Sequence, residues 1–187
     1  MTLSIVAASR HGSAHKVARA IAASVHDGQE EQVIDADALD LDVLAAAQVV
    51  VIVSSIYKGT LEVIRQAPTI ASLITQKDVA LVTVGLTDPE SDDRREAITR
   101  SELASHARSM TEFDLLGALE PRELGVTDRM LTRFLAANLK RKPVLTNQER
   151  RFINAAEGGI DLVDLAEIDP VLEWIDVHTG GAGRLSS

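Results

Sequence analysis

Short unbroken apolar runs alternate along this chain with longer stretches in which apolar residues recur every three or four positions. Leu3 to Ala8 is the first run; it ends in Ser9-Arg10-His11-Gly12-Ser13, after which Val17, Ile21 and Val25 return at four-residue spacing beside Ala18 and Ala22. The pattern predicts a strand, a tight turn and an amphipathic helix. A brief β-like run, Glu31 to Ile34, precedes an acidic segment from Asp35 to Asp42 and a helical stretch ending near Ala47. Val49-Val50-Val51-Ile52-Val53 is the clearest strand. Consecutive β-branched residues lose little in the extended state, and an apolar run without alternation suits a parallel strand covered on both faces. Thr60 to Thr75 has helical periodicity, with Pro68 kinking or restarting it. Val79 to Gly85 reads as another buried strand, Thr87 to Asp93 as a polar lead into a charged helix through Ser109, and Phe113 to Leu119 as the last of five strands.

Strands that alternate with helices favour a doubly wound parallel sheet, because parallel neighbours need crossover connections and helices supply them. The tail beyond Leu119 is longer than one closing helix requires. Thr127 or Asp128 caps a helix whose Met130, Leu131, Phe134, Leu135 and Leu139 share a face, leading into Lys140-Arg141-Lys142 and Pro143. A second helical segment surrounds Glu149 to Ala156 until Gly158-Gly159 breaks it, and Asp169-Pro170 opens a last helix carrying Val171, Leu172 and Ile175. One late helix covers the sheet; the others are additions. The expected organisation is a single domain over residues 1–178, with 179–187 a flexible tail.

Length and composition agree with one core: 187 residues, 45% of them hydrophobic, need no second domain. A net charge of −9, from 28 acidic and 19 basic residues, opposes an extended nucleic-acid footprint. With no cysteine the chain has no disulfide, thiolate metal site or thiol nucleophile, so redox chemistry would have to come from a bound cofactor. No stretch reaches the roughly 18 apolar residues that span a bilayer, and no basic-then-apolar leader opens the chain, so a cytoplasmic location is expected. Asp35, Asp37, Asp40 and Asp42 lack the spacing and glycine of a calcium loop and read as a solvated acidic segment. No metal site and no catalytic acid–base constellation is expected.

Candidate chemistry lies in the loops after the strands, because open parallel sheets bind ligands outside their carboxyl ends. The first loop, Ser9, Arg10, His11, Gly12, Ser13 and Ala14, places hydroxyls and a glycine before a helix N-terminus, where free N–H groups and the helix dipole favour a phosphate. His11 and His15 are candidates to assist it, or simply face solvent. The second, Ser54, Ser55, Ile56, Tyr57, Lys58 and Gly59, holds the chain's single tyrosine, a candidate to stack on a planar ring or to pack on its own loop. The third, Gly85, Leu86, Thr87 and Asp88, offers backbone groups to the polar edge of a ring, or an ordinary helix lead-in.

The segment Ile5 to Val25, with Ser-x-x-Gly-x after the first strand, resembles a flavodoxin phosphate loop. Together with Ser54-Ser55-Ile56, Gly59, Leu116-Gly117-Ala118-Leu119 and Asp128-Arg129-Met130, it is similar to the flavodoxin-like, quinone-dependent protoporphyrinogen dehydrogenases. The resemblance implies a five-stranded sheet in the order 2-1-3-4-5, FMN as cofactor, an extra helical segment near the C-terminus, and oxidation of protoporphyrinogen in haem synthesis with a quinone acceptor. Two positions depart from the pattern: Ala14 stands where a Ser or Thr hydroxyl is usual, and Tyr57-Lys58 replaces an Arg-Tyr pair. An electron-transfer flavodoxin that serves a redox partner, or a cofactor-free binding or regulatory module on the same fold, remains open. A basic cluster, Arg133, Lys140, Arg141, Lys142, Arg150 and Arg151, is either a solvated helix end or, if it shares a face with Phe134 and Phe152, a peripheral contact for an anionic membrane or a porphyrin's propionates.

Overall fold

In the computed structural model, residues 2–25, 33–57, 59–86, 91–122 and 124–180 are described. The valine-rich run becomes β3 (Val49–Tyr57), whose first seven residues are buried. It lies at the centre because both its faces are apolar. β1 (Leu3–Ala8) pairs along one side of it and β5 (Asp78–Gly85) along the other, in registers that set Ile5 opposite Val51 and Val51 opposite Ala80. β2 (Val33–Asp35) and β6 (Ser109–Leu116) complete five parallel strands in the order β2-β1-β3-β5-β6. This is the order that the resemblance implies, and a flavodoxin-like α/β fold. The residues Glu31 and Gln32, expected to open β2, fall outside the described residues.

Helices cover both faces. On one, α1 (Ser13–Val25) buries Ala14, Val17, Ala18, Ile21 and Ala22, and α7 (Asp169–Thr179) adds Val171, Leu172 and Ile175 beside it. The Trp174 indole N–H donates to Thr111 Oγ1 at 3.0 Å, fixing α7 against β6. On the other face, α2 (Leu41–Ala46), α3 (Ala67–Ile74) and α4 (Asp92–Ser101) contribute Leu44, Ile70, Ile74, Ala97 and Ile98. The acidic segment supplies caps: Asp35 accepts from the Asp37 amide at 2.8 Å, and Asp40 from the Val43 amide at 3.1 Å. α7 is thus the late helix that closes the sheet; of the tail expected over 179–187, Thr179 is still helical, and 181–187 lie outside the described residues.

Three expectations are corrected. Thr60–Leu61 is not helical but a short strand, β4, that folds back antiparallel on Ile56 and Tyr57; a 3-10 turn, Glu62–Arg65, follows, and α3 starts only at Ala67 with Pro68 in its first turn. Gly59, at φ +71°, turns the hairpin, so the chain returns along β3 before any helix begins. α4 stops at Ser101, where Glu102 takes a left-handed φ of 57°, so β6 begins at Ser109 instead of Phe113. The expected strand to Leu119 also breaks, at Gly117. Ala118–Leu119, β7, leaves the main sheet and pairs antiparallel with β8 (Ile160–Asp161).

At the amino end of β5, Asp78 accepts from Arg108 Nε at 3.0 Å and from Ser109 Oγ at 2.7 Å. The Arg108 hydrogen bond holds its carboxyl below the ordinary aspartate pKa, against the opposing effect of burial. The resulting stability is full above the unfolded-state value of about 3.9 and disappears as pH falls through the lower folded value. Asp78→Asn is therefore expected to lower the melting temperature at neutral pH, and to shrink its further fall between about pH 5 and pH 2. Thermal melts of both chains across that range check this.

Candidate functional site

The chain leaves β1 toward β2 in one direction and, through α2 and β3, toward β5 in the other. That reversal opens a crevice at the carboxyl ends of β1 and β3, the place where such sheets bind ligands. The first loop turns at Gly12, whose φ of +84° lies in the region that side chains disfavour; no atom lies within 4 Å of where a Cβ would stand. The Gly12 carbonyl accepts from the Lys16 amide at 2.9 Å and so starts α1 directly under the turn. A helix start of this kind presents N–H groups and a partial positive charge to the loop.

The loops are stitched together. Ser9 Oγ lies 2.9 Å from Ser55 Oγ and accepts from the Ala14 amide at 3.3 Å. Arg10 sits 4.9 Å from the centre of the Tyr57 ring and reaches Glu62 at 3.8 Å and, on α5 (Val126–Leu139), Asp128 at 3.6 Å. His11 meets the Tyr57 ring edge-on at 5.4 Å. Under the third loop lies Arg94, fully buried, donating to Thr83 O at 3.0 Å and Leu115 O at 3.3 Å and paired with Asp114 at 3.2 Å. Burial lowers the Arg94 pKa and the Asp114 charge opposes that fall. Gly117 donates to the Gly85 carbonyl at 2.9 Å, and a Cβ there would stand 3.2 Å from Gly85 N. A side chain here would force Val84 or the Gly85 backbone to give by a few tenths of an ångström, so glycine suits this close crossing, which holds the third loop in place.

One cleft of about 290 Å³ runs between these loops, and it collects Arg10, His11, Ser13, Ser55, Ile56, Tyr57, Gly59, Gly85 and Leu86. Gly12 lines an adjoining hollow of about 490 Å³ with Lys16 and Asp161, which pair at 2.9 Å. Four candidates stand elsewhere. Ser9 lines a neighbouring hollow on the Asp35 side and reaches the cleft only through its hydroxyl on Ser55. Ala14 is fully buried against the core, so its position offers a side chain no room to face the loop. Ser54 is also buried, and its hydroxyl accepts from the Val63 amide at 3.2 Å, which pins the 3-10 turn to β3. His15 is bound to Asp35 at 3.1 Å, away from the crevice. Lys58, Thr87 and Asp88 lie outside the described residues.

The reading of the loops missed the far wall. Ala118 and Leu119 of β7, Leu131, Thr132 and Leu135 of α5, and Gln148 and Phe152 of α6 (Asn147–Gly158) close the cleft. α5 and α6 pack on each other through Ala136, Ile153 and Ala156, not on the sheet. On the helix face read from the spacing, Met130, Phe134 and Leu135 are exposed, and neither Thr127 nor Asp128 caps α5, whose N-cap is Gly125 with no side-chain hydrogen bond. Between α5 and α6 an apolar trough of about 360 Å³, with Leu139 on its wall, shares Leu86, Leu135, Gln148 and Phe152 with the cleft. Asn138 and Gln148 place amides at it, and Lys142 paired with Glu149 at 2.6 Å forms its rim.

Chemically, the crevice joins an anion-favouring turn flanked by Arg10, His11 and Lys16 to an apolar slot walled by Ile56, Tyr57, Leu86 and Leu119. The Ser55 hydroxyl is engaged by Ser9 and not by a histidine, so it has no base set to activate it. Among the described residues no three His, Asp or Glu side chains come together to hold a metal ion, and no helix is long and apolar enough to cross a membrane.

Several solved structures are similar. A flavodoxin from the domain Archaea shares 18% identity over 84% of this chain and 97% of its own, with a TM-score of 0.48. A Streptococcus pneumonia TIGR4 flavodoxin shares 17% over 89% and 98%, with a TM-score of 0.48. Two-electron reduced Megasphaera elsdenii flavodoxin shares 15% over 84% and 100%, with a TM-score of 0.48. No curated protein matches. The family model of the flavodoxin domain, Flavodoxin_5, matches residues 4–145, three-quarters of the sequence, and the chain belongs to that family.

Proposed function

We propose that the chain is an FMN-dependent oxidoreductase that hands electrons to a quinone-type acceptor seated beside the flavin, with protoporphyrinogen the donor nominated by the resemblance in sequence. Membership of the flavodoxin family supports the flavin. The residues of the crevice fit FMN: the phosphate suits the Gly12 turn and the cations beside it, and the ring suits the slot at Tyr57 and Leu86. Ala14 packs into the core, which leaves the phosphate to the backbone donors of the turn. Bound FMN supplies the electron transfer; the protein anchors, orients and shields it.

The observation that carries the enzyme reading is the trough. An electron carrier needs only an exposed ring edge, whereas here a second apolar space opens from the cleft at Leu86 and Leu135. An acceptor ring fits its walls, and the Asn138 and Gln148 amides suit a carbonyl oxygen. Menadione reoxidation of the photoreduced, FMN-loaded chain, followed by stopped-flow absorbance, tests this. Leu135→Asp is expected to slow menadione about tenfold or more, because an apolar ring loses an apolar wall and meets a charge, while ferricyanide, which needs no trough, reacts at the parent rate. Equal rates with menadione would favour a simple carrier.

A further inference from the structure

Charge is divided unevenly along this acidic chain. From Arg122 to Arg151 there are eight basic residues and three acidic ones, although the net charge overall is −9. The acids of the α5–α6 hairpin are engaged: Asp128 with Arg10, Glu149 with Lys142, and Glu157 with Lys140. Of the six cations of the basic cluster, Lys140 and Lys142 are therefore paired. Arg133 and Arg141 form no ion pair among the described residues.

The same surface is apolar. Val126, Met130 and Phe134 follow one another at four-residue spacing and are 74%, 69% and 63% exposed, with exposed Ala137 beside them. The helix buries only Thr132 and Ala136 on its opposite side. Phe152 is absent from this face because it turns inward to the cleft. A stripe of large apolar side chains that none of the described residues covers, bordered by arginines without an ion pair among them and carrying no acid, has the composition of a helix that lies in a lipid interface.

We infer that the outward face of α5 docks the protein on an anionic lipid bilayer, with Val126, Met130 and Phe134 entering the headgroup boundary and Arg133 and Arg141 meeting lipid phosphates. Charge complementarity selects this occupant. An acidic protein is repelled from such a surface everywhere except at a basic, apolar face, so the hairpin fixes the orientation as well as the attachment. Leu131 and Leu135 of the same helix line the cleft, so docking brings its mouth close to the bilayer. The inference stands without the flavin, since nothing in the docking face touches the Gly12 turn.

Flotation of the full chain with phosphatidylcholine vesicles, with and without an equal share of phosphatidylglycerol, tests it. The chain is expected to float with the anionic vesicles only, and less at high salt. Phe134→Asp and the pair Arg133→Glu with Arg141→Glu should each weaken that binding about tenfold or more. These residues are exposed, so the variants keep the parent's circular dichroism and melting temperature. No flotation with anionic vesicles, or flotation that neither variant reduces, overturns the proposal. So does sedimentation showing a dimer that Phe134→Asp dissociates while vesicles remain unbound, which assigns the face to a second copy of the chain.

Discussion

Gly12→Asp, incubated with FMN and desalted, is expected to emerge colourless, where the parent chain stays yellow. Gly12 sits at φ +84° in the turn that opens α1. A non-glycine residue there costs about 1–2 kcal/mol, and a carboxylate set against a dianionic phosphate costs several more. The repulsion alone weakens FMN at least about a hundredfold, whereas the strain is borne by the fold with or without the flavin. Gly12→Asn separates the two causes: asparagine tolerates the left-handed region and carries no charge, so it should retain much more flavin than aspartate. The open space beside Gly12 means that neither side chain collides with the protein, so both variants should fold, with the aspartate variant melting modestly below the parent by its backbone strain and the asparagine variant closer to it. If Gly12→Asp kept its colour, the phosphate would lie elsewhere.

The second large effect is on folding. Arg94→Met is expected to destabilise the chain by about 3 kcal/mol, the lower part of the range for breaking a buried ion pair. Arg94 is fully buried and holds Asp114 together with the carbonyls of Thr83 and Leu115. Asp114 is 27% exposed, so water takes over part of its solvation, and this places the loss below the maximum. Typical stabilities of about 5–15 kcal/mol make such a loss visible as a shifted urea midpoint with an unchanged slope. Because these bonds tie β5 to β6 under the third loop, the folded fraction of Arg94→Met should also bind FMN more weakly.

The sheet was legible because its signal is local. Val49 to Val53 has no polar face, and the recurrence of Val17, Ile21 and Ala18 marks one helix face, so the order of elements followed from periodicity alone. The turn at Gly12 was legible for a similar reason: a glycine between a strand and a helix start marks a backbone position that side chains disfavour. What escaped depends on contacts between distant segments. Ala14 and Ser54 carry or adjoin the right chemistry in sequence, yet one packs into the core and the other is spent on the Val63 amide. Leu135 and Phe152 look like core by spacing, but α5 and α6 pack on each other and offer those side chains to the cleft. Likewise the β3–β4 hairpin rests on a left-handed Gly59, which helical periodicity does not register.

The central claim is that the crevice at the Gly12 turn takes a flavin by its phosphate, and a pair of fluorescence titrations tests it most directly. Adding the chain to FMN should quench the flavin emission with one-to-one stoichiometry and a micromolar or tighter Kd. Riboflavin, which has the same ring and no phosphate, should bind at least about tenfold more weakly, the loss of one charge-assisted set of hydrogen bonds. No quenching by either flavin, or equal affinity for both, would contradict the account.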